Sequence, residues 1–344
     1  MSTHDSSGIH KIYRRIGLYT CSSVFLLFLL GALVRATGSG MGCPDWPKCF
    51  GLFAPPTCEC QLPANYVEIF KEKREKKVHR FVNTLHKWGF HDKANQIASD
   101  PNLYTQEKFD PVKAWIEYIN RLFGVLSGLF ALVFAYFTLR YGEFRKGWRW
   151  MLVGFVFLIL NAWLGSLVVA TNLLPGIVSL HFLLSYICLF GFIKAIQLHG
   201  TFFQQHSIGK RSTWLGLWFG VFVIVILGTW AREMVDTMRV EGRLLNADGT
   251  MLNFEGMGVL FAIHRFLPGA VLTLAGVSLY RQESPKFQWN NHWFILTLLS
   301  FLQIALGAIH IVYVVPVWVQ IAHVVLGSSL LTYLFLVLTS YRRS

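Results

Sequence analysis

Asn120, His181, His264 and His323 each lie inside a long apolar segment, about four to seven residues from the same end of it. An imidazole in a lipid-spanning helix is costly unless it has a partner, so three at matched depth point to a shared ligand such as a haem iron. His264 and His323 can clamp one iron from both faces, a ligation that leaves no open position and suits electron transfer better than substrate activation. Histidines bonded to helix backbones or to each other are the plain structural reading of the same pair. Asn120 and His181 form the corresponding earlier pair. Asn is a poor iron ligand, so a haem there has one protein ligand and one free or water-bound position. Glu117 precedes Asn120 by three residues and shares its helical face, where a carboxylate can act on a bound substrate. Its alternative is an i,i+4 ion pair with Arg121. Arg35, Arg121, Arg232 and Arg265 sit near segment ends, where a guanidinium can fork onto propionate carboxylates or snorkel to lipid phosphate.

The elements that must position these residues follow from composition. The 344 residues are 54% hydrophobic and only 14% charged, which excludes a soluble domain and indicates an all-α polytopic membrane protein. Apolar runs at 13–34, 114–139, 149–171, 177–199, 213–231, 257–280, 292–313 and 317–340 make eight transmembrane helices. Lys11, Arg14 and Arg15; Arg140, Arg145, Lys146 and Arg149; Lys210 and Arg211; Arg281 and Lys286; and Arg342 and Arg343 all fall on one side, which the positive-inside rule makes cytoplasmic. Both termini are then inside. The opposite loop at 232–256 holds Glu233, Asp236, Glu241, Asp248 and Glu255. The net charge of +13 reflects this topology and anionic lipid headgroups, and no nucleic-acid partner is expected. With the first span so close to Met1 and no small-residue cleavage site after it, the expectation is an uncleaved anchor in a bacterial inner membrane.

The two halves repeat. Gly31 to Arg35 matches Gly228 to Arg232, Asn120-Arg121 matches His264-Arg265, Leu164 to Leu167 matches Leu306 to Ile309 with Pro175 or Pro316 following, and His181 matches His323. Two four-helix bundles joined in tandem, 1–200 and 201–344, account for this. Each polar residue then lies roughly 6–10 Å below the outer face at 1.5 Å rise per residue. Phe261 stands where the first half has Glu117, which favours chemistry in the first half.

The longest non-spanning stretch, about 36–113, is outside. Within it Val67, Phe70, Val78, Phe81, Leu85 and Trp88 recur at near-helical spacing among Lys and Glu, the pattern of helices lying on a membrane surface or of a solvated insertion. Cys43, Cys49, Cys58 and Cys60 lie in this oxidising compartment, and their spacing leaves the pairing open; a metal site there lacks a well-placed His. Cys21 and Cys188 read as packing residues inside spans.

The run Gly31 to Arg35, the Gly38-Ser39-Gly40 turn, Asp45-Trp46-Pro47, then Glu117-Tyr118-Ile119-Asn120-Arg121-Leu122, together with the histidines of spans four, six and eight, resembles the haem A synthase family. The resemblance covers all eight spans and omits the outer insertion near 55–112. It implies oxidation of the C8 methyl of haem O to a formyl group, a resident haem b held by His264 and His323, and a substrate haem near His181, Asn120 and Glu117. It also implies a Cys43–Cys49 disulfide, a link to a haem O synthase and a haem-copper oxidase, and a quinone or other electron partner. The family has His where this chain has Asn120, so the substrate haem loses one protein ligand. A non-catalytic b-type cytochrome passing electrons between quinone and an outer partner explains His264 and His323 equally well but not Glu117. A haem transporter or chaperone, binding haem and releasing it unchanged, is the third reading.

Overall fold

A computed structural model of the chain describes residues 3–104, 108–170, 176–200, 210–245, 257–281, 289 and 291–340. Pro175, Asp248, Glu255, Lys286, Arg342 and Arg343 lie outside them, as does the boundary between the two halves at 201–209. The ordered elements are helices: α1 Thr3–Ala36, α2 Tyr66–Lys87, α3 His91–Ala98, α4 Pro111–Arg140, α5 Trp148–Ala170, α6 Ile177–Gln197, α7 Arg211–Val240, α8 Gly258–Tyr280, α9 His292–Val312 and α10 Val317–Ser340. Eight of these, all but α2 and α3, are long and apolar enough to cross a membrane, and no strand forms among the described residues. This is an all-α, multi-pass membrane protein.

The eight spans pack as two closed rings. Around the first, α1 touches α4, α4 touches α5, α5 touches α6 and α6 returns to α1; around the second, α7, α8, α9 and α10 follow the same order. Helices α4 and α6 are therefore diagonal in one ring, as α8 and α10 are in the other. The rings join through α1, α6, α7 and α10, whose side chains share one core that includes Tyr186, Leu189, Trp214, Leu331 and Leu334. Tyr186 Oη lies 2.8 Å from Ser328 Oγ across this seam, and the Phe190 and Phe335 rings stack at 4.2 Å. Outward rows such as Leu122, Val125, Leu129, Leu132 and Tyr136 on α4 stay exposed, as a lipid-facing surface requires.

Two boundaries differ from the hydropathy reading. Helix α7 continues to Val240, so Glu233 and Asp236 extend the helix instead of beginning a loop. An i,i+4 pair of Arg232 with Asp236 at 3.0 Å supports the added turns. Helix α4 begins at Pro111, with Asp110 as N-cap accepting from Val112 N and Lys113 N, so Asn120 lies deeper in its helix than the apolar run suggested.

In the outer stretch, α2 buries Tyr66, Phe70, Arg74, Val78 and Val82, one residue every turn, while Trp88 is exposed. Val78 and Val82 pack on Ala94 and Ile97 of α3, and Tyr66 and Phe70 pack on Cys43, Cys49 and Phe50. The insertion is thus fastened to the loop after α1.

Candidate functional site

The second ring brings His264 and His323 together. Their ring centres are 6.4 Å apart with planes at 75°. A metal bound from both sides by imidazole nitrogens at about 2.0–2.1 Å separates the ring centres by roughly 6 Å. His264 Nδ1 donates to the Ile224 carbonyl at 2.9 Å, which fixes the tautomer and leaves Nε2 as the nitrogen able to coordinate. Gln303 Nε2 donates to the His323 carbonyl at 3.1 Å and ties α9 to α10 beside that imidazole. His323 Nδ1 is buried without a protein partner, and so are Arg232 Nε and Nη1. Orphaned buried polar atoms at an apolar site are costly; a metal taken by an unprotonated ring nitrogen and a carboxylate beside the Arg232 N–H groups would remove that cost. Among the described residues no three His, Cys, Asp or Glu side chains gather to hold a bare metal ion. A diagonal imidazole pair suits a metal that brings its own equatorial ligands, as haem does.

His310 on α9 was missed by the sequence reading. Its ring centre is 5.2 Å from that of His323, and its Nε2 is buried without a partner. Val168 occupies the matching position of the first half, so His310 has no counterpart in the repeat. The signal was a fourth imidazole inside a span.

In the first ring, His181 on α6 has a buried Nδ1 with no partner. A Cβ placed on Gly165 of α5 would lie 3.6 Å from His181 Cε1, and one on Gly307 of α9 would lie 3.6 Å from His323 Cε1. Gly165 and Gly307 thus stand in the same relation to His181 and His323. Asn120 is half-buried on α4, the diagonal helix.

Above Asn120, Glu117 and Arg121 form an ion pair and grip the loop that follows α1. Cys43 N donates to Glu117 Oε2 at 2.8 Å. Arg121 Nη1 donates to the carbonyls of Asp45 at 2.7 Å and Lys48 at 2.9 Å, and Nη2 to that of Cys43 at 3.1 Å. The gripped turn is closed by a Cys43–Cys49 disulfide, and Cys58 pairs with Cys60. Gly42 lets the loop lie against α4: a Cβ there would stand 2.5 Å from the Lys113 carbonyl. Lys77 of α2 approaches the same loop. Burial holds its ammonium below the usual lysine range, Asp45 opposes that shift, and Arg74 and Arg121 reinforce it.

The remaining arginines separate. Arg35 Nη2 reaches Asp236 Oδ2 at 2.5 Å, joining α1 to α7. Arg265 lies over the Phe266 ring at 5.6 Å. Glu233 adds a second tie between the rings, accepting from Gly176 N at 3.1 Å and Ser179 Oγ at 2.7 Å at the start of α6.

With this geometry in view, comparison of the sequence with known families is informative. Residues 14–83 and 92–335 match the model of the COX15-CtaA family, described as cytochrome oxidase assembly proteins. The chain belongs to this family. Members of similar sequence include proteins named heme A synthase from Wolbachia sp. subsp. Brugia malayi, 24% identical over 90% of both chains, and from Bacillus licheniformis, 24% identical over 97% of this chain and 99% of the other. A third, from Flavobacterium psychrophilum, is 23% identical over 90% of this chain and 92% of its own. The match runs through both rings and most of the outer insertion, including α2 as far as residue 83, so the insertion sits within the family's frame.

Proposed function

We propose that this chain is a haem A synthase: it oxidises the C8 methyl of haem O to a formyl group in a bacterial inner membrane, with both termini cytoplasmic. The observation that carries the reading is the doubled diagonal site, in which one ring presents two facing imidazoles and the other presents one imidazole and an amide. Family membership and the names of the relatives support it.

In this reading His264 and His323 hold haem b, with Arg232 and Arg265 at its propionates. Haem b bound there supplies a one-electron relay. The Ile224 carbonyl fixes the His264 ring, and the unpartnered Nε and Nη1 of Arg232 would bind a propionate carboxylate. His181 holds the iron of haem O, the substrate, with Asn120 on the opposite helix and Arg35 and Arg121 at the outer edge. Two successive hydroxylations each remove two electrons from the methyl carbon and add one oxygen, and the geminal diol then loses water to leave the aldehyde.

Glu117 places a buried negative charge near the reacting edge, where it stabilises positive charge developing at the carbon. Because Arg121 and Cys43 N already hold its two oxygens, the carboxylate suits a fixed charge better than a mobile proton carrier. The gripped loop shields that edge from bulk water. A haem O synthase supplies the substrate, a haem-copper oxidase takes the product, and a quinone or other carrier takes electrons.

The test is chromatography with mass detection of haems extracted from cells co-expressing this protein with a haem O synthase, in a host that lacks haem A. Haem A or its hydroxylated precursor is the expected product. Unchanged haem O beside a folded protein carrying haem b would instead indicate an electron-transfer cytochrome.

A further inference from the structure

We propose that the space beside Gly31 and Asn120 is a pocket for one small exogenous ligand of an iron held by His181, of the size of carbon monoxide, cyanide or dioxygen. The inference rests on the functional reading above, since it requires haem in the first ring.

It comes from comparing matched glycines. At Gly165 and Gly307, an added Cβ would meet His181 or His323 at the same 3.6 Å, so these two positions are equivalent and equally filled. At Gly228, an added Cβ would meet His264 Cε1 at 2.8 Å, because the imidazole occupies the room that the glycine leaves. Gly31 is the match of Gly228, and among the described residues no atom lies within 4 Å of a Cβ built on it. The residue matching His264 is Asn120, whose side chain lacks the two outermost ring atoms of an imidazole. Three of the four positions in the doubled site are therefore filled by imidazole, and the fourth keeps its space.

The walls of that space decide what enters. Gly31 contributes no side chain, and Asn120 contributes an amide with two N–H donors and one acceptor. An iron-bound diatomic ligand carries partial negative charge on its outer atom, which an amide N–H stabilises. The two ring atoms that Asn120 lacks relative to His264 leave room of about the size of a diatomic ligand. Asn120 is thus a specificity-determining residue: it keeps the iron accessible to small molecules on one face, whereas His264 closes the equivalent face in the second ring.

The test uses the full-length protein purified from cells making haem O, read by carbon monoxide difference spectra of the reduced form and by electron paramagnetic resonance of the oxidised form. Two haem populations are expected, one low-spin and inert to carbon monoxide, the other reactive and lost in His181→Ala. Asn120→His should turn the reactive population low-spin and cut its carbon monoxide binding at least tenfold. Gly31→Leu should block the gas by steric filling without reducing haem content. Gly31→Ala, whose methyl meets nothing, should keep the fold and weaken binding a few-fold; undiminished binding in both Gly31 variants would overturn the proposal. A His181-dependent haem that is low-spin and inert in the unaltered protein would overturn the pocket and leave the functional reading standing. If His181→Ala removed no haem, both would fall.

Discussion

Arg35 of the first ring and Asp236 of the second meet at 2.5 Å, and the other oxygen of the same carboxylate holds Arg232 at 3.0 Å. Arg35 and Arg232 are matching positions of the repeat, so one acidic residue serves both copies and locks the rings together at their outer ends. Asp236→Asn should weaken this lock. Its side chain is 36% exposed, so solvent screening limits the effect to about 1 kcal/mol. The expected fall in Tm of the detergent-solubilised protein is on the order of 2–4 °C, shrinking at high salt. Asp236→Asn and Arg35→Ala should be clearly non-additive, and additive losses would show that the pair does not couple the rings.

Glu117→Ala should leave the low-spin haem b signal in place while haem A yield falls by at least tenfold or stalls at the alcohol. The substitution removes a buried charge from Arg121 and an acceptor from Cys43 N, a loss of about 3–5 kcal/mol locally. Because the same change loosens the loop, Gly42→Ala is the partner experiment: it pushes the loop off the Lys113 carbonyl while keeping the carboxylate. If Gly42→Ala matches Glu117→Ala in the products formed, Glu117 acts through the loop it positions. Unchanged haem A yield in Glu117→Ala would remove it from the mechanism.

Gly228→Ala and Gly307→Ala should differ sharply. The first places a methyl 2.8 Å from His264 Cε1, and the ring cannot swing aside without losing its bond to the Ile224 carbonyl. The second makes an ordinary 3.6 Å contact with His323. Haem b content per protein should fall several-fold in Gly228→Ala and stay near the parent value in Gly307→Ala. Equal retention in both would mean that the His264 ring is not held where the structure places it.

The eight spans were legible because twenty apolar residues in a row admit few other readings, and the repeat located His264, His323 and their glycines. The end of α7 was not legible, since Glu233 and Asp236 look like loop residues until their partners on α1 and α6 are known. Glu117 shows the same limit. The sequence offered catalysis or a pair with Arg121, but the groups that settle that pair lie in the loop, Cys43 N on Glu117 and the Asp45 and Lys48 carbonyls on Arg121, each more than seventy positions from its partner. Long-range backbone acceptors leave no trace in residue spacing.

His310 offers a rival to the proposed pairing of His264 with His323. Its ring centre is nearer to His323, at 5.2 Å, than that of His264, at 6.4 Å. The shorter spacing is direct ring contact, with no room for a metal between two nitrogens at about 2.0–2.1 Å each. Only His264 and His323 stand on diagonal helices, and only His264 has its Nδ1 committed to a carbonyl. His310→Val, which copies Val168 of the first half, should therefore keep the low-spin bis-imidazole signature and full haem b content. His264→Val should abolish that signature. The reverse pattern, with His310→Val losing the signal, would reassign the ligand to α9 and break the match between the two rings.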